Sequence, residues 1–235
     1  MNRANDALPD DHQYYVLTDD NAIRKRWHLN KLRLFELTAL SPADLVLDAG
    51  CGAGNLIAEI APLCQQAIGC DYRYGGLAFA AARGRGAYVQ ADLRDLPFPD
   101  NTFTTVFCME VIEHIDRKTT AQALAEIHRV LRSRGQLLVT TPNYRSLWVV
   151  IEFVADTLRF RPEMVGGEHI SKYHKGTLAD LMMTAGFAVE RLGSFNHFSP
   201  FLAALSDRWA ERLHRWELRE GRIGGNLLYA LCRKP

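Results

Sequence analysis

Leu45-Val46-Leu47-Asp48-Ala49-Gly50-Cys51-Gly52-Ala53-Gly54-Asn55-Leu56 is the stretch on which the reading of this chain turns. An apolar run ends in an acid, three glycines alternate with small residues, and an amphipathic segment begins. That pattern predicts a buried strand, a tight turn and a helix N-terminus. Glycine at every second position leaves no Cβ in the way, so a ligand can lie directly on the backbone. A turn of this kind, at the carboxyl end of a strand in an α/β sheet, marks a nucleotide-like cofactor site. The spacing is neither the dinucleotide G-x-G-x-x-G nor a phosphate loop, which requires G-K-[ST].

Size and composition agree with a soluble-type core. The 235 residues suit one domain with an inserted cap, and 48% hydrophobic residues fill it. A formal charge of +1 gives no global attraction to nucleic acid, so DNA is not expected and any basic surface is local. The five cysteines (Cys51, Cys64, Cys70, Cys108, Cys232) form no C-x-x-C pair. Reduced thiols in a cytoplasmic protein are therefore expected, rather than disulfides or a zinc site. The N-terminal residues lack the apolar core of a signal peptide. The longest uncharged run, Leu192 to Ser206, is 15 residues and too polar to span a bilayer.

Strands and helices are expected to alternate along the chain. Residues 1–20 are polar. A helix is expected from Asn21 to Ala39 with Asp20 as its N-cap and Ile23, Trp27, Leu34 and Leu37 at helical spacing. Its Arg24, Lys25, Arg26, Lys31 and Arg33 suit a solvated lid, or contact with an anionic lipid surface or acidic substrate. Further helices are expected at Asn55–Gln65, Gly76–Arg83, from the Glu110 region to Leu131, at Thr177–Ala185 and at Ser199–Glu220. Strands are expected at Gln66–Asp71, Ala87–Gln90, Thr104–Met109, Gln136–Thr141, Phe187–Leu192 and Asn226–Cys232. Asp71 follows Asp48 by 23 residues, the distance at which a nucleotide-binding βαβ unit places its ribose carboxylate. Residues 144–176 interrupt the rhythm and are expected to cap the site. Trp209 and Trp216 are expected to pack in the core or under the cap rather than to anchor a membrane, and Phe195, Phe198 and Phe201 could line an apolar substrate pocket.

The order of motifs resembles that of class I S-adenosylmethionine-dependent methyltransferases over about residues 40 to 235. The resemblance implies an α/β, doubly wound sheet of seven strands in the order 3-2-1-4-5-7-6, the last antiparallel. It also implies a helical lid segment at 1–40 ahead of a methyltransferase domain at 41–235. Asp48, Gly50, Cys51, Gly52 and Gly54 stand where that family cradles the methionine part of the cofactor. Asp71, with Tyr72 beside it, stands at the ribose, Asp92 and Leu93 at the adenine, and Met109-Glu110 beneath the sulfonium. Glu110-Val111-Ile112-Glu113-His114, Thr141-Pro142-Asn143 and Gly167-Glu168-His169 resemble the ubiquinone-biosynthesis O-methyltransferases, and the small-RNA 2′-O-methyltransferases share similar features. In both groups the constellation accompanies a divalent cation.

If a helix starts near Glu110, then Glu110, Glu113 and His114 share one face, and His169 could complete a site for Mg²⁺ or another divalent cation. Without metal, His114 or His169 could serve as a base. The expected activity is methylation of a hydroxyl on a small or lipid-like acceptor, with peripheral membrane contact compatible with it. Two alternatives stay open. One is RNA 2′-O-methylation, against which the near-neutral charge argues; the other is a non-catalytic partner subunit. The sequence leaves the oligomeric state and the acceptor's identity open.

Overall fold

The computed structural model describes residues 15, 17, 18, 20–84, 86–146, 169–220 and 224–235. The first element, α1, is Ala22–Leu32, continued by a 3₁₀ turn over Arg33–Thr38. Then follow β1 (Leu45–Ala49), α2 (Asn55–Ile60), β2 (Gln66–Asp71), α3 (Tyr74–Ala82), β3 (Ala87–Gln90) and β4 (Phe103–Met109). After a 3₁₀ turn at Ile112–His114 come α4 (Arg117–Val130), β5 (Leu131–Pro142), α5 (Lys175–Thr184) and β6 (Ala188–Phe195). The chain closes with α6 (Ser199–Leu202), α7 (Asp207–Glu220) and β7 (Leu227–Arg233).

The seven strands form one sheet in the order β3-β2-β1-β4-β5-β7-β6, as the resemblance implies. β7 runs antiparallel to both its neighbours, and the remaining pairs are parallel. All the parallel strands therefore deliver their carboxyl ends to one edge. Helices cover both faces, which is why β1 and β4 read as almost continuous apolar runs. On one face Leu124, Ile127 and Val130 of α4 and Leu178 and Met182 of α5 pack on Leu47, Val106, Leu137 and Val139. On the other, Leu34 and the α2 residues Leu56, Ile57 and Ile60 pack on Val46, Phe107 and Leu138. The five cysteines are free thiols, four of them buried. Among the described residues no helix is long and apolar enough to cross a membrane.

Four local expectations are corrected. The N-cap of α1 is Asn21, not Asp20: its Oδ1 accepts from the amides of Ile23 and Arg24, both at 3.1 Å. No helix starts at Glu110. That residue has φ +57°, and the following helix begins only after Asp116, whose carboxylate caps it by accepting from the amides of Lys118 and Thr119. Phe195 is fully buried in the core, while Phe198 is exposed.

The fourth concerns the C-terminal helix, which is broken between α6 and α7, and its tryptophans face outward. The cause is polar. Glu217 is buried and accepts from the amides of His197, Phe198 and Ser199 and from Ser199 Oγ, at 2.7–3.3 Å. On the same helix Asp207 and Glu211 pair with the buried Arg26 of α1. A buried carboxylate and its four donors cost far more to leave unpaired in the interior than a tryptophan costs to leave in water. The inward stripe of α7 is accordingly Ala210, His214 and Glu217. The cap residues 147–168, including Trp148, Phe153, Phe160, Met164, Gly167 and Glu168, lie outside the described residues.

Candidate active site

β1 ends at Ala49 and the chain turns through three glycines, each with positive φ: Gly50 at +88°, Gly52 at +49° and Gly54 at +72°. L-residues rarely adopt that region, so the alternation in the sequence is a conformational requirement. Close packing enforces it. A Cβ on Gly50 would stand 2.4 Å from Val111 Cγ2, and one on Gly54 would stand 2.6 Å from the Tyr88 hydroxyl. The amides of Gly50 and Cys51 both donate to the carbonyl of Cys70, at 2.8 and 3.0 Å, which locks the turn to the end of β2. Cys51 is buried, and burial pushes its thiol up.

Asp71, at the end of β2, reaches into this turn. Its Oδ2 accepts from the Gly52 amide at 2.9 Å and its Oδ1 from the Arg73 amide at 2.8 Å. Each oxygen keeps a second lone pair, which is what two vicinal ribose hydroxyls would need. Asp48 lies beneath, 4% exposed, and its carboxyl is pushed up to about 7 by burial and by the charge of Asp71. Two carboxylates at one turn suit a ligand that brings positive charge. Tyr72 is 73% exposed, and only its carbonyl is engaged, by Gln90 Nε2.

The expected adenine residues lie in the loop after β3. Leu93 packs on the core. Asp92 is already held: Arg94 approaches it to 2.6 Å and keeps its carboxyl below the usual range. An adenine amine would share that carboxylate with Arg94 or displace it.

At the end of β4, Met109 packs against the α1 side of the core and Glu110 turns over in the left-handed region. Its Oε1 accepts from Thr140 Oγ1 at 3.0 Å, and its Oε2 lies 3.5 Å from Lys31 Nζ of α1. The residues expected to share a helical face with it go elsewhere. Glu113 is 1% exposed, accepts from Thr141 Oγ1 at 3.2 Å, and has its carboxyl pushed well above the carboxylate range by burial and by Glu110. The amides of Ile170 and Ser171 donate to the Glu113 carbonyl at 2.8 and 3.0 Å, and so bring His169 alongside.

Donor atoms of Glu113, His114 and His169 all lie within 4.8 Å of one another, and Glu110 is not of that group. Glu110 thus stands apart from the other three expected donors, because it takes a left-handed conformation in place of a helix start. The His114 and His169 rings meet edge to face at 5.1 Å. Burial, and then the neighbouring His114, hold the His169 imidazole below its usual range. Its Nδ1 lies 2.5 Å from the Tyr144 hydroxyl, in a contact whose donor depends on the ring's tautomer. Lys31 and Thr141 entered the sequence reading only as part of the basic α1 and of the Thr141-Pro142-Asn143 motif, without a role at the site. Thr140 and Tyr144 carried no signal beyond their position near the carboxyl end of β5.

The family model described as a methyltransferase domain matches residues 47–139, from β1 through β5, including the glycine turn and Glu110–His114. That match, the relatives below and the sheet order support a class I S-adenosylmethionine-dependent methyltransferase. A probable S-adenosylmethionine-dependent methyltransferase of Mycolicibacterium smegmatis is 36% identical over 157 residues, 64% of this chain and 55% of that protein. The ubiquinone/menaquinone biosynthesis C-methyltransferase UbiE of Teredinibacter turnerae is 32% identical over 54% of each chain. The chain thus spans little more than half the length of these relatives. A methyltransferase structure from Archaeoglobus fulgidus superposes with a TM-score of 0.65 at 20% identity, covering 94% of this chain and 100% of that one. The residues present would fit the cofactor of such a methyltransferase: the glycine turn leaves room on the backbone, the Asp71 carboxylate keeps lone pairs for two hydroxyls, and Asp48 adds acid beneath.

Proposed function

We propose that this methyltransferase acts on a hydroxyl of a small or lipid-like acceptor, with a divalent cation held by Glu113, His114 and His169. The observation that carries the reading is the convergence of those three donors at the carboxyl end of β4, next to the residues that would underlie the sulfonium. The methyl group arrives already activated on its sulfonium, so the protein must align an oxygen with it and manage one proton. A cation at the three donors would bind the acceptor oxygen and lower its pKa.

The chain's own residues suit that task. Burial makes a bare Glu113 carboxylate costly, so a cation there would offset that cost. His169 is held by its contact with the Tyr144 hydroxyl, and burial disfavours its charged form. Glu110 faces away toward Lys31 and ties α1 to the site, which supports reading residues 1–40 as a lid. Acceptor specificity would rest with the 144–176 segment.

Calorimetric titration of Mn²⁺ tests the cation. Wild type should bind one ion, and His169→Ala should weaken it by about tenfold to a hundredfold. S-adenosylmethionine affinity should be unchanged in that variant. Equal Mn²⁺ affinity in both chains would leave His169 with a metal-free role as base. C-methylation, the activity named for the UbiE relative, is separated by product analysis: only an O-methyl product yields a methoxy resonance.

A further inference from the structure

The exposed side of α7 is unlike that of an ordinary surface helix. Arg208, Trp209, Arg212, Arg215, Trp216 and Arg219 recur at positions that share one helical stripe, and all are exposed. Trp209 is 58% and Trp216 49% exposed, and Leu205, one turn before the helix and on the same line, is 85% exposed. Helices normally bury such residues; here the inward face is taken by Ala210, His214 and Glu217. Three acids of the helix, Asp207, Glu211 and Glu217, are spent elsewhere. Asp207 pairs with Arg26, Glu217 is buried, and Glu211 is shared by Arg26, Arg33 and Arg215. What faces outward is a cationic, aromatic stripe, with Arg212 stacked 5.1 Å over the Trp209 ring.

We propose that this stripe docks the protein on an anionic lipid bilayer. Tryptophan seeks the headgroup boundary because its ring is apolar and its N–H polar, and arginine pairs with phosphate there. Single-stranded RNA would also accept tryptophan and arginine. It gives no reason for Leu205, an aliphatic side chain extended into solvent at the leading end. A second copy of the chain would bring like charges face to face. The place in the fold also favours lipid. Leu227 of β7 pairs with both Pro142 of β5 and Phe195 of β6, so the chain enters α6 at the same sheet edge that carries Glu110 and His114. A docked α7 would hold that edge close to the membrane. The proposal stands on the stripe alone and does not require the acceptor to be a lipid.

Cosedimentation of the full chain tests it, using vesicles of phosphatidylcholine alone and vesicles mixed with phosphatidylglycerol. Wild type should partition onto the mixed vesicles, shift its tryptophan emission to the blue, and come off as salt rises. Each arginine near an anionic surface is worth about fivefold in partitioning. Arg208→Glu with Arg212→Glu should therefore reduce binding at least about twentyfold. Leu205→Ser should reduce it without changing the salt dependence. S-adenosylmethionine binding should be intact in all variants, which separates a folding defect from a docking defect and a failed docking from a failed enzyme. The proposal is overturned if wild type ignores both vesicles, or if the arginine variant binds like wild type. It is equally overturned if a single-stranded RNA oligomer binds more tightly than the vesicles and Leu205→Ser leaves that binding unchanged. A stable dimer that Leu205→Ser dissolves would assign the stripe to self-association instead.

Discussion

A Gly50→Ala chain is expected to melt about 5–10 °C below wild type and to bind S-adenosylmethionine at least about tenfold more weakly. Two separate costs add. The φ of +88° is a conformation that an L-residue enters at about 1–2 kcal/mol. The new methyl would stand 2.4 Å from Val111 Cγ2, so either Val111 or the turn must move. Together these amount to about 2–3 kcal/mol, and each kcal/mol is worth about 2–4 °C in a chain of this size. A turn that has moved no longer offers its backbone to the ligand. Val111→Ala in the same chain should recover the part due to the clash and leave the part due to φ. Differential scanning calorimetry of the three chains separates the two. If the double variant melts with wild type, backbone conformation contributes nothing at Gly50.

The second large effect is acid sensitivity from His214. This residue is 2% exposed beneath α7, and neither ring nitrogen has a hydrogen-bond partner among the described residues. Burial pushes it down from 6.5 to about 4. Between those two values the unfolded chain binds a proton that the folded chain refuses. Stability therefore rises with pH there, and the contribution is lost progressively as pH falls from about 6.5 to about 4. The full span corresponds to roughly 3 kcal/mol. His214→Leu should match wild type near pH 8 and exceed it by up to that amount near pH 4, in urea unfolding at each pH. Asp48 and Glu113, both raised, act with the opposite sign in the wild type and the variant alike. They cancel in the difference. A difference that stays flat between pH 4 and 6.5 would contradict a neutral, buried His214.

Much of the scaffold was legible from residue types alone. β1, β2 and β4 are short apolar runs closed by an acid or by glycines, and that pattern fixes strand, turn and helix start together. The glycine turn was legible for a stronger reason, since positive φ and the lack of room for a Cβ permit little else at Gly50 and Gly54. The expected helix at Glu110 failed because a left-handed residue and the Asp116 cap are invisible to hydrophobic period. Trp209 and Trp216 faced the other way because period gives a stripe but not its direction. The direction was set by Arg26 and by Glu217, polar residues that a sequence reading assigns to the surface. Likewise the pairing of Lys31 with Glu110 joins elements far apart in the chain, and no local pattern announces it.

The central claim is that the turn from Asp48 to Gly54 and the carboxylate of Asp71 together hold S-adenosylmethionine. Calorimetric titration of that cofactor into wild type and Asp71→Ala tests it most directly. Asp71 supports the Gly52 amide and offers two charged acceptors, each worth about 1.5–3 kcal/mol when satisfied by a ligand hydroxyl. Wild type should bind one equivalent, and Asp71→Ala should bind at least about a hundredfold more weakly. Undiminished affinity in Asp71→Ala, with its melting temperature unchanged, would contradict the account.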